Sequence, residues 1–261
     1  MRMSRRHLLA RASCLAVSGG ARVAKSASLL RVGAALPDPP FEFMTADGPA
    51  GFDVALMEAI AGRIGREWKL VLYAGADFNG IFAGLSNGTY DCVASGTTIT
   101  PARERIADFC APYAVSGQSL ALDQGRHPDV HGITDLKGLV IGVQEGNTSQ
   151  PVADKLVAEG RAAGVRVYAY DKIERALDDL TTGGCDVFMK LAPVTEWYVR
   201  NRPNLKVIET GITQEYLGVC VHKGDTGLKR GIGEAQAKLI SEGKVATLTK
   251  QWLGAEARAP S

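Results

Sequence analysis

Residues 135–150 read DLKGLVIGVQEGNTSQ, and at this stretch the strand and helix pattern of the chain starts again. The short apolar run 140–143 predicts a buried strand. A polar turn at 144–149 follows, and residues 151–158 then have the apolar spacing of a helix. A buried strand that leads through a turn into a helix predicts the start of a second α/β unit.

Two α/β series can be traced along the chain in this way. The first has predicted strands at 30–36, 68–73 and 90–95, with helices at 54–64, capped by Asp53, and at 78–86. The second has predicted strands at 140–143, 165–170 and 185–189, with helices at 151–158 and 173–180. A strand at 217–221 and a helical segment at 228–253 complete the pattern. We expect an α/β protein of two lobes, each a mostly parallel sheet flanked by helices, with a cleft beyond the strand ends.

The overall composition hides a charge difference between the start of the chain and the rest. The 261 residues are 46% hydrophobic and 22% charged, and they carry a formal net charge of +2. Residues 1–30 hold six basic and no acidic side chains, so the remainder has 24 basic and 28 acidic residues, a charge of −4. This balance argues against a nucleic-acid partner, which usually requires a concentrated basic surface.

The first 29 residues have the features of an export signal peptide. They combine a basic start, an apolar stretch at 8–17 and small residues at 21–28. Residues 4–9, SRRHLL, resemble a twin-arginine signal, so both this route and general secretion stay open, as does a disordered basic tail. No segment after residue 29 reaches the roughly eighteen apolar residues of a membrane span. We therefore expect an exported, periplasmic chain without a membrane span in its mature part.

Four cysteines follow the predicted signal peptide, namely Cys92, Cys110, Cys185 and Cys220. Their spacings are long and contain no CxxC pair, so the sequence predicts neither a metal site nor a redox motif, and no cofactor. The four could form disulfides in three different pairings, or they could be small buried side chains. The sequence leaves both alternatives open.

Several stretches, in order, resemble the bacterial extracellular solute-binding proteins of family 3, the polar amino-acid group. They are PFEF (40–43) with GFDV (51–54), TITPAR (98–103) with FCAPY (109–113), DLKG (135–138), GVQEGNT (142–148), the segment from CD to PV (185–194), and QWLG (251–254). The resemblance covers residues 30–254. It implies a type II periplasmic-binding-protein fold of two lobes, which closes over a small ligand about a two-stranded hinge.

The resemblance also implies a division of the chain. Lobe 1 would comprise residues 30–115 plus 214–254, lobe 2 residues 116–213, and a tail residues 255–261. The hinge strands would lie near 113–117 and 215–219. Because Cys110 and Cys220 flank these strands, they are the first pair of cysteines to test for proximity.

The family's ligand site is carried over to matching residues of this chain. Arg103 would hold the carboxylate of the ligand, because a guanidinium can form two parallel hydrogen bonds with it. Thr98 and the backbone of Gly96 would add contacts from the same lobe. Thr148 would contact the carboxylate from lobe 2, with Asn147 as a secondary candidate. Either of these last two residues could instead cap the helix that follows.

Three further positions match places where the family has apolar or aromatic residues around the ligand. Phe78 lies where the family has an apolar wall residue. Phe41 and Asp38 lie where it often has aromatic residues against the ligand. Phe41 could equally be a core residue. Asp38 departs from the family, and it could meet a cationic group or end the proline-rich turn.

Leu191 is the most informative departure from the family. Family members that bind α-amino acids usually have an aspartate here, which holds the α-ammonium group. An ammonium buried against leucine would cost roughly several kcal/mol. Either Asp38 or Glu145 replaces the missing carboxylate, or the ligand is an organic acid without an ammonium group. In the second case Lys190 could meet another anionic group, although it could also be a solvated lysine at a strand end.

The resemblance implies a monomeric binding protein that is not an enzyme. It would capture a small carboxylated ligand, an amino acid or a related organic acid, and deliver it to the permease of an ABC importer. An alternative is a cyclohexadienyl dehydratase, which resembles this family and uses a glutamate as proton donor. Here Val194 occupies that position and Glu196 lies two residues further on, which argues against the enzyme. A sensory or accessory binding module is a third alternative.

Overall fold

The structure is a computed structural model that describes residues 28–254 and 257–259. Residues 1–27 of the predicted signal peptide lie outside these ranges, as do four residues of the predicted tail. The strands are β1 (Leu30–Ala35), β2 (Phe43–Thr45), β3 (Gly48–Ala50), β4 (Trp68–Tyr73), β5 (Cys92–Val93), β6 (Ala107–Phe109), β7 (Ala114–Ser116), β8 (Gln118–Asp123), β9 (Val140–Gln144), β10 (Gly164–Tyr168), β11 (Val187–Leu191), β12 (Leu205–Glu209), β13 (Glu215–Leu217) and β14 (Cys220–His222). The α-helices are α1 (Phe52–Arg63), α2 (Ile81–Ser86), α3 (Pro101–Glu104), α4 (Ser149–Ala158), α5 (Ile173–Thr182), α6 (Ala192–Val199), α7 (Thr226–Ser241) and α8 (Lys244–Trp252).

The first lobe is built on a five-stranded sheet in the order β4-β1-β5-β14-β6. Strand β1 pairs in parallel with β4 and β5, whereas β14 runs antiparallel to β5 and β6. Four strands therefore share one direction, as expected for a mostly parallel sheet. Helices α1, α7 and α8 pack in one hydrophobic cluster with this sheet, and α2 packs in a second cluster on the other face.

The second lobe repeats this arrangement in the order β10-β9-β11-β8-β12. Strand β8 is the one that runs opposite to its neighbours β11 and β12. Every residue of β8 is buried, yet the sequence analysis missed this strand. Its apolar run is only three residues long, 120–122, and polar residues border it on both sides, so the local apolar signal is weak. In each sheet the antiparallel strand directly follows a hinge strand in the chain. Strand β14 follows β13 into the first lobe, and β8 follows β7 into the second.

The start of α1 differs from the sequence prediction. The helix begins at Phe52 after Gly51, so Asp53 lies in its first turn and is not the N-cap. Gly51 has a φ of 127°, and a Cβ there would lie 2.2 Å from the carbonyl oxygen of Phe41, so only glycine fits. The entry into α1 thus depends on Gly51, and the Asp53 side chain turns inward instead.

The hinge consists of strands β7 and β13, which pair in antiparallel register from Ala114–Leu217 to Ser116–Glu215. A third segment joins them. Val115 and Arg258 exchange two backbone hydrogen bonds, with N···O distances of 2.9 and 3.0 Å. The segment predicted as a tail therefore contributes a pairing to the hinge, which sequence reasoning did not anticipate.

The four cysteines of the described chain are buried and carry free thiols. Cys110 lies in the cluster formed with α1, whereas Cys220 lies in the cluster formed with α2. The two side chains thus point to opposite faces of the sheet, although their backbones are neighbours. Among the described residues, no helix is long and apolar enough to cross a membrane.

Candidate functional site

Nine of the ten predicted site residues line one cavity between the lobes. They are Asp38, Phe78, Gly96, Thr98 and Arg103 from the first lobe, and Asn147, Thr148, Lys190 and Leu191 from the second. Ser95, Gln118 and Ser149 also line it and were missed, because isolated serines and glutamines carry no local signal of a binding role. The sequence motifs thus located the cleft, and the fold added the polar residues between them.

The lobes touch each other along this cleft. The N–H of Phe78 donates to the carbonyl of Glu145 at 3.1 Å, and the N–H of Tyr170 donates to that of Ala76 at 2.6 Å. The cavity enclosed by these contacts has a volume of about 10 Å³. This is close to the volume that one water molecule needs. A larger ligand can therefore enter only when the lobes separate.

Phe41 is the predicted site residue that does not line the cavity. It is fully buried, and its ring packs edge-on against that of Phe52 with a centroid distance of 6.5 Å. Gly96 lies directly in front of it and has a φ of 52°. A Cβ at this position would lie only 3.1 Å from the Phe41 ring, so the contact is tight. Of the two alternatives left by the sequence, Phe41 is a core residue, and it supports the segment 95–98 from behind.

A one-turn helix places Arg103 in the cleft. The Thr100 hydroxyl accepts a hydrogen bond from the Arg103 N–H at 3.2 Å and so caps α3, whose first residue is Pro101. Proline is favoured at this position because its missing N–H has no helical partner to lose. The TITPAR motif therefore forms a short, well-capped turn, and its last residue is directed between the lobes.

The guanidinium of Arg103 connects the two lobes. Its Nη1 donates to the Thr98 carbonyl and its Nη2 to the Gly146 carbonyl of the other lobe, both at 3.0 Å. The Nε donates to Asn79 Oδ1 at 3.2 Å, and the Phe78 ring lies 4.9 Å from the guanidinium carbon. Burial lowers the pKa of Arg103 to about 10, so the group stays charged at neutral pH.

A carboxylate from the hinge, Glu215, lies beneath the cavity and was not identified by sequence reasoning. Its Oε2 accepts hydrogen bonds from the hydroxyls of Thr98 at 2.6 Å and Thr148 at 2.7 Å. Its Oε1 accepts from Gln118 Nε2 at 2.6 Å and from the Thr213 hydroxyl at 2.9 Å. Four neutral donors, one from the first lobe and three from the second, therefore surround this one buried carboxylate.

These contacts change the predicted roles of three residues. A hydroxyl has one proton to donate, and those of Thr98 and Thr148 already donate to Glu215. The N–H of Gly96 donates to Asp53 Oδ2 at 2.6 Å. Thr98 lies opposite Leu217 in an antiparallel bridge, whose two hydrogen bonds are made by the residues on either side of Thr98. The N–H and the carbonyl of Thr98 itself therefore point away from β13. The donors left for a ligand carboxylate are therefore the Arg103 guanidinium, the Thr98 N–H and the Ser149 hydroxyl, which has no partner among the described residues.

Lys190 and Asp38 form an ion pair across the cleft. The Lys190 Nζ lies 2.8 Å from Asp38 Oδ1, with both side chains at least 95% buried. The ammonium also lies 5.2 Å from the centroid of the Tyr170 ring. Burial raises the pKa of Asp38, and the charge of Lys190 acts against this rise. The alternative of a solvated Lys190 is therefore wrong, and the cationic partner of Asp38 is part of the protein.

Leu191 lines the cavity at the position where a family aspartate is expected. Two acidic residues were considered as its replacement. The side chain of Glu145 is exposed and does not line the cavity, whereas Asp38 does. Asp38 is thus the acidic group in the lining that could meet an ammonium group.

The position of a dehydratase proton donor is apolar. Val194 is fully buried in the hydrophobic core. Glu196 lies on α6, close to Gly254, and is not part of the cavity lining. The structure brings neither residue to the cleft.

Two α/β lobes, a two-stranded hinge and a polar cleft between them define the class of two-lobed binding proteins that close over a small molecule. The chain belongs to the bacterial extracellular solute-binding proteins, family 3, whose family model matches residues 30–255.

Similar proteins and similar solved structures support this assignment. The putative ABC transporter arginine-binding protein 2 of Escherichia coli K12 is 29% identical over 90% of this chain and 95% of its own. The solved structure of an ancestral arginine-binding protein bound to arginine superposes with a TM-score of 0.79, at 30% identity, over 88% of this chain and all of that one. A second ancestral amino-acid-binding protein, described as a precursor of cyclohexadienyl dehydratase, has a TM-score of 0.76 at 28% identity, over 87% of this chain and 95% of that one.

Proposed function

We propose that the mature protein is a periplasmic solute-binding protein that captures an amino acid by hinge closure and delivers it to the permease of an ABC importer. The observation that carries this proposal is the position of Arg103, a buried cation that contacts both lobes inside the cleft. A ligand carboxylate bound between the lobes would lie within reach of this guanidinium. The names of the relatives, which are amino-acid-binding proteins, support the same function.

The division of the chain follows from the same proposal. Residues 30–115 and 214–254 form lobe 1, and residues 116–213 form lobe 2, with the first 29 residues as an export signal. The grouping of strands into two five-stranded sheets, with the pair β7–β13 separate from both, supports these bounds. Residues 255–261 form a C-terminal segment, and the protein acts as a monomer. Export would follow either the twin-arginine or the general secretory route.

The cleft suggests how an amino acid would be held. Its carboxylate would lie against Arg103 and the N–H groups of Thr98 and of the start of α4, where helical N–H groups lack partners. Its ammonium group would replace Lys190 as the partner of Asp38 when the lobes open. Lys190 would then be free to meet a polar or anionic group at the far end of the ligand.

An organic acid without an ammonium group is the second candidate ligand, and Leu191 favours it. Such a ligand would leave the ion pair of Asp38 and Lys190 intact. The two candidates differ in their dependence on Asp38. Replacing Asp38 with asparagine would weaken the binding of an amino acid, but not that of an organic acid.

Binding to Arg103 can be tested by calorimetric titration with the proteinogenic amino acids, L-cystine and small dicarboxylic acids. We expect Arg103→Ala to lose at least about 30-fold in affinity for the ligand that binds, since truncating a buried charged partner costs about 2 kcal/mol or more. Arg105→Ala is the matched control, because Arg105 lies two residues away with an exposed side chain. Equal affinities of the wild type and Arg103→Ala would refute the proposed carboxylate site.

An enzyme on the same fold is the competing function, and the ancestral dehydratase precursor among the similar structures gives a reason to test it. We expect no turnover of prephenate or arogenate, because no carboxylic acid replaces Val194 at the donor position. The test is product formation by the wild type and Glu196→Gln. Turnover that disappears in this variant would establish the enzyme instead.

A further inference from the structure

Two motifs of the chain contribute buried acids that the ligand site does not use. Glu42 belongs to PFEF (40–43) and Asp53 to GFDV (51–54). Glu42 is fully buried and Asp53 is 1% exposed, so both carboxyl groups lie inside the first lobe. Buried acids without a cationic partner are costly and need a specific explanation.

Each of these acids holds one residue of the segment 95–98, which lines the cleft. Asp53 Oδ2 accepts hydrogen bonds from the N–H of Gly96 at 2.6 Å and from the Tyr113 hydroxyl at 3.0 Å. Glu42 Oε1 accepts from the Ser95 hydroxyl at 2.5 Å. The two carboxyl groups therefore fix the backbone from which Thr98 and its neighbours face the ligand.

The second oxygen of each acid shows that the two groups form a pair. Among the described residues, neither Glu42 Oε2 nor Asp53 Oδ1 has a hydrogen-bond donor, although both atoms are buried. The two acids bind the adjacent residues Ser95 and Gly96, so their carboxyl groups are neighbours, and a hydrogen bond between them would satisfy these free oxygens. Two carboxylates cannot form such a bond, whereas a carboxylic acid and a carboxylate can, because the bond needs one proton.

We propose that Glu42 and Asp53 share one proton as a carboxyl pair, and that this pair positions the segment 95–98 for ligand binding. The Glu42 carboxyl is the donor and the Asp53 carboxylate the acceptor. Asp53 then accepts three hydrogen bonds, from Glu42, Gly96 and Tyr113. A charged acceptor makes these bonds stronger than a neutral one would.

The surrounding groups favour a proton on the pair at neutral pH. Burial raises the pKa of Asp53 to about 7, and burial with the neighbouring acids raises that of Glu42 well above its usual range. Asp38 is a third acid and strengthens both shifts, whereas Lys190 opposes the shift of Glu42 and already pairs with Asp38. The other titratable groups facing the pair stay protonated, because burial raises the pKa values of Tyr113, Tyr170 and Cys220.

The sign of the pH effect follows from the order of the two protonations. In the proposed pair Glu42 keeps its proton and Asp53, whose pKa burial raises to about 7, is the group that titrates, so above about pH 7 the pair holds one proton. When the pH falls below about 7, a second proton neutralises Asp53. The hydrogen bonds that Asp53 accepts then weaken, and the segment 95–98 is held less firmly. Ligand affinity should therefore fall on acidification, a consequence that rests on the proposed function.

The shared proton can be tested without any ligand by infrared spectroscopy. At about pH 8, above the range in which exposed carboxyl groups titrate, the wild type should show the carbonyl stretch of one protonated carboxyl group. Glu42→Gln should lack this band. Glu58→Gln is the matched control, because Glu58 is an exposed acid on the same helix as Asp53, and it should keep the band. Absence of the band from the wild type, or its persistence in Glu42→Gln, would overturn the proposal.

Binding of L-arginine, whose own charge is constant between about pH 5.5 and 7.5, tests the positioning role. Over this range we expect wild-type affinity to fall about five- to tenfold towards acid, as one coupled proton allows. Glu42→Gln keeps a donor to Asp53 and leaves Asp53 able to titrate, so its affinity should fall on acidification as that of the wild type does. Asp53→Asn, which resembles the doubly protonated pair, should bind weakly and equally at every pH. An Asp53→Asn profile that falls on acidification in parallel with the wild type would contradict the role of the pair.

The two measurements separate this inference from the proposed function. If L-arginine does not bind at any pH, arginine is not the ligand, and the infrared band still decides whether the proton is shared. If Glu42→Gln does not fold, the infrared titration of the wild type against Asp53→Asn replaces it. A protonated carboxyl group that appears near pH 7 in the wild type and not in Asp53→Asn supports the pair, and identical titrations refute it.

Discussion

Lys190 and Asp38 each depend on the other to be tolerated inside the cleft. Both side chains are almost completely buried, and they belong to different lobes. Removal of one partner would leave an uncompensated charge in a low-dielectric environment, whereas removal of both charges would not. The pair therefore links the charge balance of the cleft to the contact between the lobes.

Single and double replacements should differ for this ion pair. We expect Lys190→Met to lower the free energy of unfolding by about 3–5 kcal/mol, because Asp38 loses its partner. The double variant Asp38→Asn with Lys190→Met should recover most of this loss. Urea denaturation followed by circular dichroism measures both.

Lys137→Met is the control for this experiment, because the Lys137 side chain is exposed. It should leave the free energy of unfolding within about 0.5 kcal/mol of the wild type. A double variant as unstable as Lys190→Met would show that the loss comes from packing rather than from the unpaired charge.

The hinge strand β13 carries its acid, Glu215, at the centre of a network of neutral donors. The hydroxyls of Thr98 and Thr148 come from different lobes, and both bind the same oxygen. This element therefore does more than connect the lobes, since it also holds them at the base of the cleft. Its strength depends on both oxygens of Glu215 being acceptors.

Glu215→Gln should open the lobes in the absence of ligand. The amide NH₂ would face groups that are themselves donors, and leaving such groups unpaired costs about 1–3 kcal/mol. Small-angle X-ray scattering should then show a larger radius of gyration than for the wild type. Tyr216→Phe, an exposed change on the same strand, should leave the scattering curve unchanged. A Glu215→Gln curve that coincides with the wild type would show that the network does not hold the lobes.

The elements that the sequence predicted well are those with a strong local pattern. The apolar run of β9 and the regular spacing of α5 identify a buried strand and an amphipathic helix without any knowledge of the fold. Strand β8 was missed because polar residues such as Gln118 and Ser119 occupy it, and their hydrogen-bond partners come from distant segments. Secondary structure that is stabilised mainly by such partners has no signal in the local sequence.

The site was predicted to a similar degree, for a related reason. Arg103 and Thr148 belong to continuous motifs, and both line the cleft. Glu215 lies more than sixty residues from each of its neighbours Thr98, Gln118 and Thr148 in the chain. Its role depends on the meeting of two lobes, so one sequence alone could not reveal it.

At the scale of the whole molecule, an aromatic contact joins the two lobes outside the cleft. The ring of Phe43, in the first lobe, lies 4.9 Å from that of Trp197 on α6 of the second. Arg200 also lies over the Trp197 ring, at 3.7 Å from its centroid. Separation of the lobes would expose this indole to water on one side.

Tryptophan fluorescence should therefore report lobe movement. We expect the emission of the wild type to change on addition of a ligand that binds, because a ligand larger than the cavity alters the spacing of the lobes and with it the contact of Trp197 with Phe43. This change should be lost in Trp197→Phe and kept in Trp68→Phe, since Trp68 lies on the edge strand β4 of the first lobe. A ligand-induced change of equal size in both variants would assign the signal elsewhere.

The pairing of Arg258 with Val115 has a practical consequence for handling the molecule. An affinity tag or a fluorescent protein inserted directly after Arg258 would lie next to hinge strand β7. Its bulk would restrict the movement of the hinge strands and so change the apparent affinity for the ligand. Attachment to a surface, or coupling to a reporter domain, is better made through the exposed turn around Asp47, which lies away from the hinge strands.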